Sequence, residues 1–170
     1  MPRIHVCSLA RLHATVRQSG AASLITLINR NTPVERPETI DPDRHMIISL
    51  SDIVAPVEGQ ILAQDEHVRR LIGFVRDWDR RQPLLIHCYA GVSRSTAAAF
   101  IALCVLKPDS AEDSHARSLR FASPTATPNP RLVELADRQL ARRGRMVAAI
   151  AAIGRGEDCF EGEPFTLELA

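Results

Sequence analysis

A cysteine and an arginine separated by five residues are the part of this sequence best suited to chemistry. They are Cys88 and Arg94, in the stretch His-Cys-Tyr-Ala-Gly-Val-Ser-Arg-Ser that runs from residue 87 to residue 95. A cysteine thiolate is a strong nucleophile, and a guanidinium group presents a planar fork of donors that can hold two oxygens of a tetrahedral anion. The spacing therefore predicts a nucleophile and an oxyanion-binding group within one loop.

The residues between the cysteine and the arginine are suited to binding phosphate through their backbone. A loop that enters a helix N-terminus can direct several N–H groups into one concavity, and the helix dipole adds positive potential that also favours the thiolate. Gly91 permits the sharp curl that such a loop needs. Ser95 is placed to donate a hydrogen bond to the cysteine sulfur when it leaves phosphorus. The predicted substrate-binding residues are Tyr89, Ala90, Gly91, Val92, Ser93 and Arg94.

The elements on either side of the loop have clear signals. Leu84, Leu85 and Ile86 form a short apolar run after Pro83, which indicates a buried strand. From Ser95 or Thr96 to Leu106 the chain has no polar face, which is typical of a helix packed on all sides. A buried strand, a tight loop and a buried central helix should therefore hold the site.

The stretch from His87 to Ser95 resembles the signature loop of the cysteine-dependent protein tyrosine phosphatase superfamily, and most closely its compact dual-specificity-like branch. The resemblance implies a three-layer α/β fold, with a mostly parallel central sheet of about four or five strands flanked by helices. It also implies hydrolysis of phosphate monoesters through a cysteinyl-phosphate intermediate, without a metal or another cofactor. The expected substrates are phosphotyrosine in proteins, with phosphoserine and phosphothreonine as further candidates, or a small phosphoester.

Such a reaction needs an acid to protonate the leaving oxygen and a base to activate water, and one carboxyl group can do both. Asp52 is the candidate, because it follows a predicted strand upstream of Cys88, as the acid does in the enzymes that the loop resembles. Asp is also common in turns, where it merely caps the backbone. The rival carboxylates, which lie on a segment that can fold over the site, are Glu58, Asp65 and Glu66.

Two further residues have supporting roles in the family that the loop resembles. The resemblance implies that His87 tunes the thiolate and that Asn129 braces the phosphate loop. Each residue also has a simpler explanation. A histidine at position 87 can be a core residue, and Asn129 before Pro130 has the pattern of a helix N-cap. The sequence leaves both explanations open for Asn129.

The rest of the chain alternates strands with helices, which predicts a layered and mostly parallel α/β domain over residues 1–170. Strands are expected at 4–9, 23–28 and 45–50. Helices are expected at 10–19, 65–81, from 109 or 110 to 122, from 130, and at 146–153, where Gly144 marks either a bend or a break. The tail from residue 154 is acidic and is expected to be either loose or folded back.

Composition narrows the class of partner. The net charge is +1, so neither nucleic acid nor a membrane is an expected partner. No apolar run approaches the roughly 18 residues that a spanning helix needs, and we expect a cytoplasmic protein. The four cysteines, at 7, 88, 104 and 159, show neither a disulfide framework nor the spacing of a metal site. The sequence does not predict an oligomeric state.

Three other functions use related loops. Rhodanese-like sulfurtransferases also carry a cysteine loop, but they generally lack the arrangement of Gly91 and Ser95. Phosphoprotein-binding modules descended from phosphatases are expected to lose the cysteine, the arginine or the acid, and this chain has all three. Inositol-lipid phosphatases use extra cationic side chains in this loop to hold additional phosphates, whereas no lysine lies between Cys88 and Arg94 in this chain. Hydrolysis of phosphoproteins is therefore the favoured hypothesis.

Overall fold

The computed structural model describes residues 1–169, and its centre is a five-stranded sheet. The strands are β1 (Arg3–Cys7), β2 (Ser23–Ile28), β3 (His45–Ser49), β4 (Leu84–His87) and β5 (Phe165–Glu168). Their order across the sheet is β3-β2-β4-β1-β5. The first four strands are parallel and β5 is antiparallel to β1. The sheet is therefore mostly parallel, as predicted, and its carboxyl edge lies at the ends of β1 to β4.

Six helices cover the two faces of the sheet. They are α1 (Leu12–Ser19), α2 (Asp65–Asp77), α3 (Arg94–Leu106), α4 (Glu112–Ala122), α5 (Pro130–Gln139) and α6 (Arg145–Ile153), with short 3-10 turns at Leu9–Arg11 and Pro42–Arg44. Helix α1 packs on one face, where Leu12 and Val16 meet Leu24 and Leu85. Helices α2 to α6 contribute to the larger core on the other face. This arrangement is the predicted three-layer α/β fold.

Helix α3 lies at the centre of the larger layer and leads directly out of the predicted loop. All of its residues except Val105 are buried, in agreement with a sequence that has no polar face. The helix begins at Arg94, one residue earlier than expected. The arginine therefore belongs to the first helical turn, and its position is set by the helix as well as by the loop.

Helix α2 ends at Asp77, so the prediction of a helix to residue 81 is wrong. Trp78 leaves the helical conformation, and its indole N–H donates to the carbonyl of Gln82 at 3.1 Å. Arg80 adopts a positive φ of 59° within the turn that follows. Trp78 continues the helical spacing of apolar residues in α2, but its backbone belongs to the turn that follows the helix.

Three other predicted boundaries also shift, those of α4, β1 and α1. Helix α4 begins at Glu112 instead of 109 or 110, because the N–H of Ser110 donates to the carbonyl of Lys107 at 3.1 Å and forms a separate turn. Strand β1 ends at Cys7 instead of residue 9. Ser8 caps the following 3-10 turn by accepting a hydrogen bond from the N–H of Arg11 at 3.3 Å. Helix α1 therefore begins at Leu12, two residues later than predicted.

The tail folds back onto the sheet. Gly144, with a φ of 84°, lies between α5 and α6, so of the two alternatives left open by the sequence, a bend or a break, the structure has the break. Residues 154–164 then lead to β5, where Phe165 and Leu167 are buried. The sequence does not predict this strand, because an alternation of apolar and polar residues over only four positions is too short to indicate a strand. Within residues 1–169, none of the helices has both the length and the apolarity that crossing a membrane requires.

Candidate active site

Cys88 follows β4 directly and lies at the floor of the site. It is only 2% exposed. Its Sγ lies 3.1 Å from the hydroxyl oxygen of Ser95 and accepts a hydrogen bond from the N–H of Gly91 at 3.3 Å. A hydrogen bond donated to sulfur, as from the N–H of Gly91, favours the thiolate over the thiol. The structure thus brings together three residues that the sequence predicts for one catalytic loop.

Five carbonyls of the loop, residues 88–93, accept hydrogen bonds, four of them from distant segments. The pairs, as donor to carbonyl, are His87 Nδ1 to Cys88 (3.0 Å), Leu9 to Tyr89 (3.0 Å), Gly162 to Ala90 (2.8 Å), Thr127 to Val92 (2.9 Å) and Asn129 to Ser93 (3.2 Å). The N–H groups of residues 89, 90, 92, 93 and 94 have no hydrogen-bond acceptor within the described residues 1–169. A set of unpaired amides on one curled loop is suited to binding an anion.

Gly91 is the residue that allows the loop to curl against the end of β1. Its φ is +73°, a conformation that side chains disfavour. A Cβ added there would lie 2.8 Å from the backbone nitrogen of Ser8 and 2.9 Å from the carbonyl carbon of Cys7. Both the backbone conformation and this close approach therefore require glycine, as the sequence predicts.

Arg94 is 6% exposed, and its guanidinium group is only partly used by the protein. One terminal nitrogen, Nη1, donates to Oδ1 of Asn29 at 2.6 Å and to the carbonyl of Leu50 at 2.9 Å. The Nε of Arg94 is buried and has no hydrogen-bond partner among residues 1–169. A buried donor without an acceptor costs free energy, so a ligand that accepts a hydrogen bond from this edge of the guanidinium would be favoured.

Asn29 is a site residue that the sequence analysis missed. It follows β2, whose carboxyl end lies at the same edge of the sheet as the end of β4. Polar residues that directly follow parallel strands are candidates for a site at that edge. This signal is present in the sequence, because Asn29 directly follows the strand predicted at 23–28.

Asp52 follows β3 and contacts the loop. Its Oδ1 accepts hydrogen bonds from the hydroxyl of Ser93 at 2.7 Å and from Nδ2 of Asn129 at 2.8 Å. The carboxyl group is exposed and lines a cavity of about 370 Å³ together with Val92 and Ser93. The hydroxyl of Ser93, which was predicted to bind substrate, is thus engaged by Asp52.

The rival carboxylates lie in other surroundings. Asp65 is the first residue of α2, and its carbonyl accepts a hydrogen bond from Gln139 at 2.8 Å. Glu66 forms an ion pair with Arg69 on the surface of the same helix. Glu58 is exposed in the turn before Gly59. Of the four candidates, Asp52 is the one whose carboxyl group bonds to the catalytic loop.

Asn129 combines the two roles that the sequence left open. Its Oδ1 accepts hydrogen bonds from the N–H groups of Arg131 at 3.0 Å and Leu132 at 3.1 Å, which is the N-cap of α5. Its Nδ2 holds Asp52, and its backbone N–H donates to the carbonyl of Ser93 at 3.2 Å. The side chain therefore orients the carboxyl group of Asp52, whereas the contact with the loop is made by the backbone.

His87 is the last residue of a hydrogen-bonded chain that begins at His45. The hydroxyl of Thr26 lies 2.8 Å from Nε2 of both histidines. Burial lowers the pKa of His87 to about 4, so its ring is neutral at pH 7. Because the carbonyl of Cys88 can only accept, Nδ1 of His87 carries the proton, and Nε2 accepts from Thr26. His45 then donates to Thr26.

Replacement of Thr26 by valine is expected to lower the free energy of unfolding by about 1–3 kcal/mol, because it leaves a buried imidazole nitrogen unpaired. Urea unfolding measures this loss. The matched control is Thr166→Val, which removes the exposed hydroxyl that pairs with His5 at 2.9 Å and should change stability by less than about 0.5 kcal/mol. Equal losses in the two variants would contradict the importance of the buried chain.

Solved phosphatase structures share this fold, although no protein-family model and no curated protein sequence matches the chain. The PTP-2 phosphatase of Cydia pomonella is 19% identical, over 79% of this chain and 84% of that one, with a TM-score of 0.63. Human DUSP28 is 17% identical, over 82% and 92%, with a TM-score of 0.62. PTPMT1 in complex with PI(5)P is 12% identical, over 83% and 94%, with a TM-score of 0.59.

These similarities define the fold of the chain. It is the α/β fold of the cysteine-dependent phosphatases of the dual-specificity type, which the loop from His87 to Ser95 predicted. The prediction of the fold class is therefore confirmed. At 12–19% identity the similarity does not extend to activity.

Proposed function

We propose that this protein is a phosphatase that hydrolyses phosphate monoesters through a cysteinyl-phosphate intermediate. The observation that supports the proposal best is the construction of the catalytic loop around a buried sulfur. Its carbonyls are bonded to surrounding segments, while several of its amides and the Nε of Arg94 have no partner within residues 1–169. A tetrahedral dianion bound over Cys88 would satisfy these donors.

In the first step, Sγ of Cys88 attacks phosphorus as the bond between phosphorus and the ester oxygen breaks. Asp52 transfers a proton to that oxygen, so the product leaves as an alcohol or a phenol. The amides of residues 89–94 and the free edge of Arg94 hold the other phosphoryl oxygens, whose charge they stabilise in the transition state.

In the second step, Asp52 accepts a proton from a water molecule that attacks phosphorus. The bond between sulfur and phosphorus breaks, and inorganic phosphate is released. The sulfur leaves as a thiolate, and Ser95, whose oxygen lies 3.1 Å away, donates a hydrogen bond to it. No group other than water is consumed.

The preferred substrate in this proposal is phosphotyrosine in a protein. Cys88 is only 2% exposed, so an ester must reach inward to meet its sulfur, and an aromatic ester is longer than that of serine or threonine. Tyr89 is 63% exposed at the rim, where it can contact the phenyl ring. Comparison of phosphotyrosine and phosphothreonine peptides of the same sequence tests this preference.

Asp52→Asn is expected to lower kcat by about 100-fold on phenyl phosphate, because the leaving phenoxide is no longer protonated. 4-Nitrophenyl phosphate should be less affected, because its leaving group needs little protonation. The control is Asp65→Asn, which should behave like the wild type.

Three results would contradict parts of this proposal. An unchanged kcat of Asp52→Asn on phenyl phosphate would assign the acid to another carboxylate. Formation of a persulfide at Cys88 without release of phosphate would indicate a sulfurtransferase. Tight binding of a phosphopeptide without hydrolysis would indicate a binding module.

The complex of PTPMT1 with PI(5)P raises the question of a lipid substrate. The loop of this chain carries no lysine between Cys88 and Arg94, so it offers no additional side-chain cation for a second phosphate. We therefore expect faster hydrolysis of a phosphotyrosine peptide than of a phosphoinositide at equal concentration. The opposite order would overturn the assignment of protein substrates.

A further inference from the structure

The segment between α6 and β5 runs along the catalytic loop, and we name residues 154–163 the strap. At one end, the N–H of Gly156 donates to the hydroxyl of Thr127 at 3.0 Å, and the N–H of Glu157 donates to the carbonyl of Pro124 at 3.0 Å. At the other end, the N–H of Gly162 donates to the carbonyl of Ala90 at 2.8 Å. The strap is thus anchored on both sides of the loop.

Gly162 sits against the loop with no room for a side chain. A Cβ added there would lie 2.8 Å from the carbonyl oxygen of Gly91 and 3.4 Å from Cγ2 of Val92. The φ of Gly162 is outside the left-handed region, so the contact, and not the backbone conformation, is what requires glycine. The adjacent Glu161 accepts a hydrogen bond from the hydroxyl of Ser8, which holds this end of the strap in place.

The contact with Gly162 has a direct geometric effect on the nucleophile. The carbonyl of Ala90 and the N–H of Gly91 belong to the same peptide unit, which is planar and trans, so the two groups point in opposite directions. Gly162 binds the carbonyl side of this unit, and Sγ of Cys88 accepts a hydrogen bond from its N–H side at 3.3 Å. The rotation of one peptide plane therefore links the strap to the sulfur.

We propose that Gly162 is a positioning residue that aims the N–H of Gly91 at the Cys88 sulfur and thereby promotes the thiolate. The hydrogen-bond partners of the sulfur, Ser95 and Gly91, lie outside the strap, so the effect of the strap passes through the Ala90–Gly91 peptide. The consequence for turnover rests on the proposed phosphatase function. The effect on the ionisation of Cys88 is independent of the substrate.

The test is Gly162→Ala, whose added methyl group displaces the strap from the loop. Alkylation of Cys88 by iodoacetamide is followed against pH, with mass spectrometry of the Cys88 peptide because the exposed Cys159 can react as well. The pH midpoint of alkylation should rise by about one unit, since the thiolate loses an oriented donor. With phenyl phosphate, kcat should fall about tenfold or more, and KM should change less.

Two matched variants separate this effect from general loosening. Gly73→Ala in α2 adds a methyl group to open space and should shift neither quantity. Gly156→Ala strains the other anchor, where a Cβ would lie 2.5 Å from the carbonyl of Thr125, and should shift the midpoint less than Gly162→Ala. If Gly156→Ala shifts the midpoint as much, the specific role of Gly162 is wrong.

If Gly162→Ala does not fold, Glu161→Ala replaces it, because this variant removes the bond to Ser8 without adding a group to the loop. It should raise the midpoint in the same direction by a smaller amount, and no rise would overturn the proposal. A shifted midpoint in a protein that hydrolyses no phosphoester would support the role of Gly162 and contradict the phosphatase. If the wild type hydrolyses a phosphoester but Gly162→Ala has the same pH midpoint of alkylation, the phosphatase proposal is supported and the role of Gly162 is wrong.

Discussion

Cys88→Ser is expected to lower kcat for aryl phosphates by about 10⁴-fold or more, because a serine hydroxyl in this loop replaces a nucleophile that ionises readily with one that does not. Hydrolysis of phenyl phosphate, followed by release of phosphate, measures the loss. The variant should still bind inorganic phosphate, since the loop amides and Arg94 are unchanged. Its thermal stability in the presence of phosphate reports that binding.

The control for this substitution is Cys159→Ser, which removes an exposed thiol from the strap, beside the cavity that Asp52 lines, and should lower kcat far less than Cys88→Ser does. Cys104 is a poor control, because it is buried in α3 and its burial raises the thiol pKa to about 12. Activity of Cys88→Ser within tenfold of the wild type would exclude covalent catalysis by this residue. Equal losses in both cysteine variants would point to a general effect on the fold.

Arg94→Lys is expected to lower kcat/KM by about 10³-fold. A lysine retains the charge but has no planar fork, so it cannot hold two phosphoryl oxygens while remaining bonded to Asn29 and Leu50. Because the stabilised charge is greatest in the transition state, kcat should fall as well as phosphate affinity. Steady-state kinetics and the inhibition constant of inorganic phosphate separate the two effects.

Arg70→Lys serves as the control for the loss of a guanidinium group. Arg70 also donates to a backbone carbonyl, that of Ile47, at 3.1 Å, but it does so on the exposed surface of α2. This variant should keep its kcat/KM. A loss of less than threefold in Arg94→Lys would mean that charge alone suffices and that the unpaired Nε has no role in the reaction.

The parts of the site with local signals could be predicted from the sequence. The loop between a buried strand and a buried helix, the need for Gly91 and the N-cap at Asn129 all depend on residues close together in the chain. The placement of Asp52 at the same sheet edge as Cys88 followed from the expectation of parallel strands. Its contact with the loop agrees with that expectation, whereas its catalytic role stays a prediction.

The features that were missed depend on contacts between distant segments. Asn29 is linked to Arg94 through tertiary packing, and Gly162 meets Ala90 because β5 returns to the sheet beside β1. A four-residue strand and a single glycine give no local signal for such contacts. The end of α2 was missed because Trp78 continues the apolar period after the backbone has left the helix.

The support of the catalytic loop by both early and late segments has a consequence for how the protein folds. Ser8 and Glu161, whose side chains meet beside the loop, are separated by 153 positions in the chain. Contacts between residues so far apart tend to form late in folding, because closing a long loop has a high entropic cost. The loop that carries Cys88 would therefore reach its final arrangement only as β5 docks.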